Sequence, residues 1–240
     1  MLLHLPTSVS EARECLADGA TPVGGATLVW ATWQRDGFPA HAMSLRDVPE
    51  ADVVGPTALG AAVVLNRIDD RVPEALRRAA AGVGTGAVRR TATVGGNLVG
   101  STLRCLLPAA LVLDSRATVL DADGVHETDL AELVAKRPVL LGLHWRAPLA
   151  SAYGKLPAAP GGPPPLAAAL ALHAEDDGPT RLRVAVRDGY DVLTGSAVCD
   201  SGPEEALRTL RTPAFAELSE TAWEFVIRQT ADLTRGGPGD

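Results

Sequence analysis

The chain has 240 residues, 46% hydrophobic and 21% charged, which excludes disorder and allows one large or two smaller packed domains. Its formal net charge of −7 argues against nucleic acid as a partner, because binders of the phosphate backbone carry a basic stripe. No apolar run is long enough for a bilayer span, and "MLLHLPTSVSEARECL" lacks a basic start and a long apolar core. No membrane segment and no signal peptide are therefore expected, and the cytoplasm is the expected compartment.

Ser8-Val9-Ser10-Glu11 is a capping-box pattern, and Val9, Ala12, Cys15 and Leu16 follow at helical spacing up to a stop at Gly19. "ATPVGG" reads as a short strand entering a glycine turn, and Ala26 to Trp33 as a helical turn or a strand. "AHAMSLRDV" and "ALGAAVVLNRI" read as strands, the second apolar enough to be buried on both faces. Pro73 opens a helix through "EALRRAAAGV", which Gly82, Gly84 and Gly86 interrupt. A second apolar helix spans roughly Leu107 to Leu113, with Pro108 in its first turn. "ATVLDADG" is a strand and turn, "DLAELVA" a short helix and "RPVLLGLHWR" a strand. Prolines and glycines from Leu156 to Pro165 mark a loop or linker. Beyond it come "LAAALALHAE", helical or strand-like, a strand "TRLRVAVRD", and a helix "PEEALRTLR" behind a Ser201–Glu204 capping box. An amphipathic helix "ELSETAWEFVIRQTADL" follows, then a flexible "TRGGPGD" tail. Helices and strands that do not strictly alternate predict an α+β fold.

Cys15, Cys105 and Cys199 are far apart with no C-x-x-C pair, which excludes a self-contained iron–sulfur or Cys-rich zinc site. His4, His41, His126, His144 and His173 show no metal-ligand spacing, so no metal is expected. No acid–base pair emerges from spacing; Asp114, Asp121 and Asp123 read as solvated carboxylates.

The unusual feature is a pair of double-glycine turns, "PVGGATL" (Pro22 to Leu28) and "TVGGNL" (Thr93 to Leu98). Each joins a strand-like stretch to a helix-like one. Glycine lets another group approach the backbone closely, and consecutive amides ahead of a helix make an anion nest. Two such turns face to face would clamp a pyrophosphate; the alternative is two tight turns with no ligand. Neither turn is a G-x-G-x-x-G or a G-x-x-x-x-G-K-[ST] motif.

Segment order along nearly the whole chain resembles the FAD-binding (medium) subunit of the molybdenum hydroxylase family, which includes carbon monoxide dehydrogenase and xanthine dehydrogenase. "EARECLADGATPVGGATL" is similar to its opening helix and A-G-G-T-D-L turn, and "SLRDVPE" to its D-L-S-x-I-P-E. "ALGAAVVLNRI" resembles its I-G-A-x-V-T strand, "AVRRTATVGGNL" its V-R-N-x-A-T-I-G-G-N-L signature, and "SAYGKL" the start of its C-terminal domain. The resemblance implies a two-lobed, PCMH-like FAD-binding domain over 1–148, with subdomains at about 1–55 and 56–148. A small α/β C-terminal domain like that of the carbon monoxide dehydrogenase flavoprotein would occupy 149–240. It implies FAD held by Val23, Gly24, Gly25, Ala26, Thr27 and Leu28 on one side and Thr93, Gly95, Gly96, Asn97 and Thr102 on the other. Tyr153 and Lys155 would lie near the ring end. Iron–sulfur and molybdenum subunits would be the partners of an FAD-dependent oxidoreductase subunit that relays electrons to an acceptor.

Departures from the family pattern cluster at this site. Ala26 and Thr27 stand where the family has Thr and Asp, Leu103 replaces a proline, and Leu106 replaces an acidic residue. Arg104 adds a cation that either pairs with phosphate or occupies the nucleotide's space. Trp30 and Trp33 follow the first turn and either stack on a flavin or pack in the core. A second reading follows, in which FAD is lost and the cleft holds a small molecule. That protein would be a cofactor-free cyclase (cycloaddition or rearrangement) of natural-product biosynthesis, with Tyr153, Lys155 and Arg104 as candidate catalytic residues. A third is a non-catalytic binding subunit.

Overall fold

The computed structural model describes residues 1–157, 162–175, 178–211 and 215–235. In chain order its elements are β1 (Leu2–His4), α1 (Val9–Ala17), β2 (Thr21–Pro22), α2 (Val29–Asp36), β3 (His41–Met43), β4 (Ala58–Gly60), α3 (Glu74–Ala81), α4 (Gly86–Arg89), α5 (Leu107–Val112), β5 (Arg116–Asp121), β6 (Gly124–Thr128), α6 (Leu130–Lys136), β7 (Val139–His144), β8 (Ala150–Lys155), β9 (Ala167–Ala174), β10 (Thr180–Asp188), β11 (Asp191–Val198), α7 (Pro203–Arg211) and α8 (Glu220–Arg235). The fold is α+β, as expected. The chain forms two compact units: 1–72, 83–106 and 115–145 make the first, and 73–82, 107–114 and 146–240 the second.

The first unit holds two sheets. One is three-stranded and parallel, in the order β1-β3-β2; the other is antiparallel, in the order β4-β7-β5-β6. Helix α1 forms where the capping pattern predicts it. The Ser8 Oγ accepts from the Glu11 amide at 3.2 Å, while the Glu11 carboxylate accepts from the Thr7 amide at 2.7 Å, one residue ahead of the usual box. That contact holds the Glu11 carboxyl below its usual range. Its apolar stripe Val9, Ala12, Cys15 and Leu16 packs with Met43, Leu120 and Leu141, and Gly19, at φ +78, ends it.

Two expected strands are shorter than the sequence suggests. "AHAMSLRDV" is a strand only at His41–Met43, followed by a 3₁₀ turn at Leu45–Asp47. "ALGAAVVLNRI" pairs as a strand over Ala58–Gly60 and then leaves the sheet. Its next carbonyls turn to another partner: Ala61 O accepts from the Gly95 amide at 2.8 Å and Val63 O from the Val94 amide at 3.0 Å. The run is apolar because Leu59, Ala61, Val63 and Leu65 are all buried, but that burial comes from two different backbone pairings in succession. Ala26 to Trp33 resolves as a turn leading into helix α2, which begins at Val29.

The second unit is built on the antiparallel sheet β11-β10-β9-β8. "LAAALALHAE" is strand β9, and its first five residues are all buried. Such continuous burial requires cover on both faces, and α3, α5 and α8 all pack against this sheet. The core includes Leu170, Leu182, Val184 and Val186 from strands and Leu207, Phe215, Trp223 and Val226 from the C-terminal segment. Helix α7 starts at Pro203, with Ala206 N bonded to Gly202 O at 3.3 Å, so Gly202 takes the position expected for Ser201, which lies two residues before the helix start. Part of the expected linker (158–161) and most of the expected tail (236–240) lie outside the described residues. No helix among the described residues is long and apolar enough to cross a membrane, and they hold no cluster of three or more metal-ligating side chains.

Candidate functional site

Both glycine turns belong to the first unit. The first begins where β2 ends: Val23 N donates to Met43 O at 2.8 Å, the last bond of the parallel ladder. The chain then passes directly against the second motif. A Cβ on Gly24 would lie 2.2 Å from the Thr93 hydroxyl, and one on Gly25 would lie 1.7 Å from the Thr91 carbonyl oxygen. These glycines serve backbone contact between the two segments, since neither has a positive φ. The left-handed position is taken instead by Ala26, at φ 54, a conformation that costs a non-glycine residue about 1–2 kcal/mol.

Beyond Ala26 the backbone enters α2, with Trp30 N bonded to Ala26 O at 3.0 Å. Among the described residues, the amides of Gly24, Gly25, Ala26, Thr27, Leu28 and Val29 donate to no protein acceptor. The turn is exposed or half-exposed throughout. A row of amides without protein partners, continued by the N-terminus of a helix, is the electrostatic form of an anion site.

The second turn differs. Thr93 bridges to Val64, and the amides of Val94 and Gly95 donate to Val63 O and Ala61 O. Gly96 N donates to the Thr93 hydroxyl at 3.1 Å and Asn97 N to Thr93 O at 2.9 Å. The chain continues as a π-helical turn over Gly96–Gly100, closed by Ser101 N to Gly96 O. A Cβ on Gly95 would stand 3.2 Å from both Cβ and O of Ala61, so this glycine seats the turn on the apolar run. Asn97 is buried and its Oδ1 accepts from Leu106 N at 2.9 Å, which fixes the following loop. Leu106 is itself fully buried, so the apolar residue at the family's acidic position is a core residue here.

In that loop the Ser101 hydroxyl accepts from the amides of Leu103 and Arg104, and Thr102 is exposed. Arg104 is half-buried with a left-handed backbone, φ 43. Burial first, and then the cation of Arg137, pull its guanidinium below the usual arginine range, although arginine stays charged. Arg137 ends α6 at φ 53 and had no signal in the sequence.

The two candidates of the second unit have structural contacts. Tyr153 is buried on β8, opposite Ala169. Lys155 Nζ donates to Gly82 O at 2.8 Å, at the C-terminus of α3, a favourable place for a cation. A 460 Å³ groove in the first unit is lined by Val53, Leu59, Thr118, Val125 and His144 among others, and by no residue of either glycine turn.

Residues 1–141 match the family model of the FAD-binding domain in molybdopterin dehydrogenase. The chain belongs to this family, whose cofactor is FAD and whose chemistry is oxidoreduction. Among solved structures it is similar to quinoline 2-oxidoreductase from Pseudomonas putida 86, at 18% identity and TM-score 0.70, covering 99% of this chain and 98% of that one. It is similar to reconstituted CO dehydrogenase from Oligotropha carboxidovorans at 18% identity and TM-score 0.71, covering 99% and 97%. A carbon monoxide dehydrogenase chain from Hydrogenophaga pseudoflava matches at 18% identity and TM-score 0.69, covering 99% and 96%. These likenesses establish the fold, and no curated protein matches the chain.

The residues present fit a dinucleotide at the first turn. It has unused amides, a helix N-terminus and a backbone held in place by glycine contacts. The missing Asp and Thr side chains do not weaken that feature, because main-chain donors are independent of residue type.

Proposed function

We propose that this chain is the FAD-carrying subunit of a molybdenum-hydroxylase-type oxidoreductase, relaying electrons from an iron–sulfur partner to an acceptor. The observation that carries the reading is the run of amides from Gly24 to Val29 with no acceptor among the described residues, lying inside the segment that matches the family. FAD, when bound, supplies both one- and two-electron transfer, which lets it link iron–sulfur centres to a two-electron acceptor. The protein's part is binding and orientation. Amides of Gly24, Gly25, Ala26, Thr27 and Leu28 hold the diphosphate, and Val23 anchors the turn to the sheet. Thr93, Gly95, Gly96 and Asn97 act mainly by shaping the wall against which that turn is pressed, and Thr102 and Arg104 extend the rim.

Support for partners comes from the solved relatives, which are oxidoreductases including CO dehydrogenases. No observation favours the cofactor-free cyclase or the non-catalytic binding subunit. The test is the absorbance spectrum of the purified chain, followed by FAD titration of material stripped of flavin. A yellow protein, or stoichiometric uptake of FAD, is expected. A colourless chain that takes up no FAD overturns the reading. Stopped-flow reduction of the loaded chain by its iron–sulfur partner then tests the relay.

A further inference from the structure

Helix α2 buries none of its residues, although it carries Val29, Trp30 and Trp33. Tryptophan is among the side chains that gain most from burial, so an indole left open beside an open turn is unusual. Trp30 is 49% exposed and meets Phe38, itself 43% exposed, edge to face, with ring centroids 5.3 Å apart and planes at 71°. Trp33 also contacts Phe38, at 6.0 Å. Phe38 therefore braces both indoles, with Trp33 half-buried and Trp30 and Phe38 left exposed. Leu28, 53% exposed, adds apolar surface on the side of the turn.

Trp30 is tied to this turn by its own backbone, through the bond from its amide to Ala26 O. The aromatic surface thus begins within one helical turn of the amides that hold the diphosphate. In FAD a diphosphate carries a planar ring on each side, one through a ribose and one through a ribityl chain. From the position of Trp30 we infer that it is a stacking platform for one planar ring of the bound dinucleotide. This rests on the FAD reading above and deepens it, adding a positioning residue from outside the glycine motifs. Stacking suits the place: it needs a flat apolar face and no buried polar partner, and it tolerates half-exposure.

The test uses the full chain stripped of flavin, with dissociation constants measured by calorimetry for FAD, ADP, FMN and inorganic pyrophosphate. Trp30→Leu is expected to weaken FAD binding roughly tenfold, the effect of losing one base–aromatic stack. Pyrophosphate binding is expected to stay unchanged, and Trp30→Phe to restore most of the FAD affinity. If ADP affinity falls with Trp30→Leu, the ring is the adenine; if FMN affinity falls, it is the isoalloxazine. Because Trp30 is half-exposed and Leu keeps an apolar side chain beside Phe38, the variant is expected to stay folded with an unfolding midpoint near wild type, which is checked alongside. Equal FAD affinity in wild type and Trp30→Leu overturns the stacking role while leaving the FAD reading intact. Failure of the wild type to bind FAD overturns both.

Discussion

The first and second glycine turns share a Val-Gly-Gly sequence and lie against each other, yet their backbones are used in different ways. At Gly24–Val29 the amides have no acceptor among the described residues, and the glycines exist to let the chain touch Thr91 and Thr93. At Val94–Asn97 every amide has an acceptor within the protein: Val63 O, Ala61 O, the Thr93 hydroxyl and Thr93 O. One turn therefore leaves its amides open, which is what the proposed FAD site uses, and the other spends its amides on bonds within the protein. The lesson is that a Gly-Gly dipeptide reports close approach to a backbone; whether the approaching group is a phosphate or another strand depends on the hydrogen bonds around it.

This contrast can be broken by mutation. The largest effect is expected for Gly25→Ala. Its Cβ would meet the Thr91 carbonyl, a backbone atom that cannot rotate away, so stability should fall by about 3 kcal/mol, the upper range for overpacking. Denaturant unfolding measures it, and FAD affinity should fall with it. Asn97→Ala comes next. It leaves the buried Leu106 amide without its acceptor and should cost about 2 kcal/mol, while pyrophosphate affinity, measured below the unfolding range, stays near wild type. A large loss of pyrophosphate affinity in this variant would mean that the second turn binds the ligand directly.

The second unit offers a pH readout that involves neither turn. His173 is buried on β9 with its Nε2 2.8 Å from Val112 O of α5; because a carbonyl only accepts, that nitrogen carries the proton of a neutral ring. Burial pushes its pKa below the ordinary 6.5, outweighing the raising effects of the Val112 carbonyl and Asp114; Arg183 and Arg146 also push it down. Well above pH 6.5 neither folded nor unfolded chain protonates this ring appreciably, so it adds no pH dependence there. As pH falls through that value the unfolded chain takes up the proton first, so stability should decline between about pH 7 and 5. The decline should be shallower in His173→Gln, as thermal midpoints across that range will show. A Gly25→Ala chain should keep the wild-type slope.

The smallest effect is expected for Gly96→Ala. This glycine has no positive φ, and its Cβ would be 3.1 Å from a hydroxyl that can shift, so the change should stay within about 1 kcal/mol of zero. If Gly96→Ala destabilises as much as Gly25→Ala, the distinction between ligand surface and support fails.

Much of the fold was legible in local pattern. The Ser8–Glu11 box and the stripe Val9, Ala12, Cys15 and Leu16 mark α1 because capping and helical period depend on neighbours in sequence. Strand β10 and helices α3, α7 and α8 were equally readable, as were both glycine turns. The opening and signature segments carried the family resemblance that the match over residues 1–141 supports. What local pattern misreads is burial with two causes. Ala58 to Ile68 looks like one buried strand, but its apolar side chains serve a sheet first and the support of the second turn afterwards.

The sequence by itself determined the α+β class, most of the helices, the family and the two places where a backbone comes close. Only the tertiary structure decided which turn has amides left for a ligand, that Asn97 faces inward, and that Trp30 stands open beside Phe38. The physical reason is range. Helix caps, periodicity and glycine conformations are settled within a few residues, whereas the use of an amide depends on whether a carbonyl some thirty residues away, such as Ala61 or Val63, is brought opposite it.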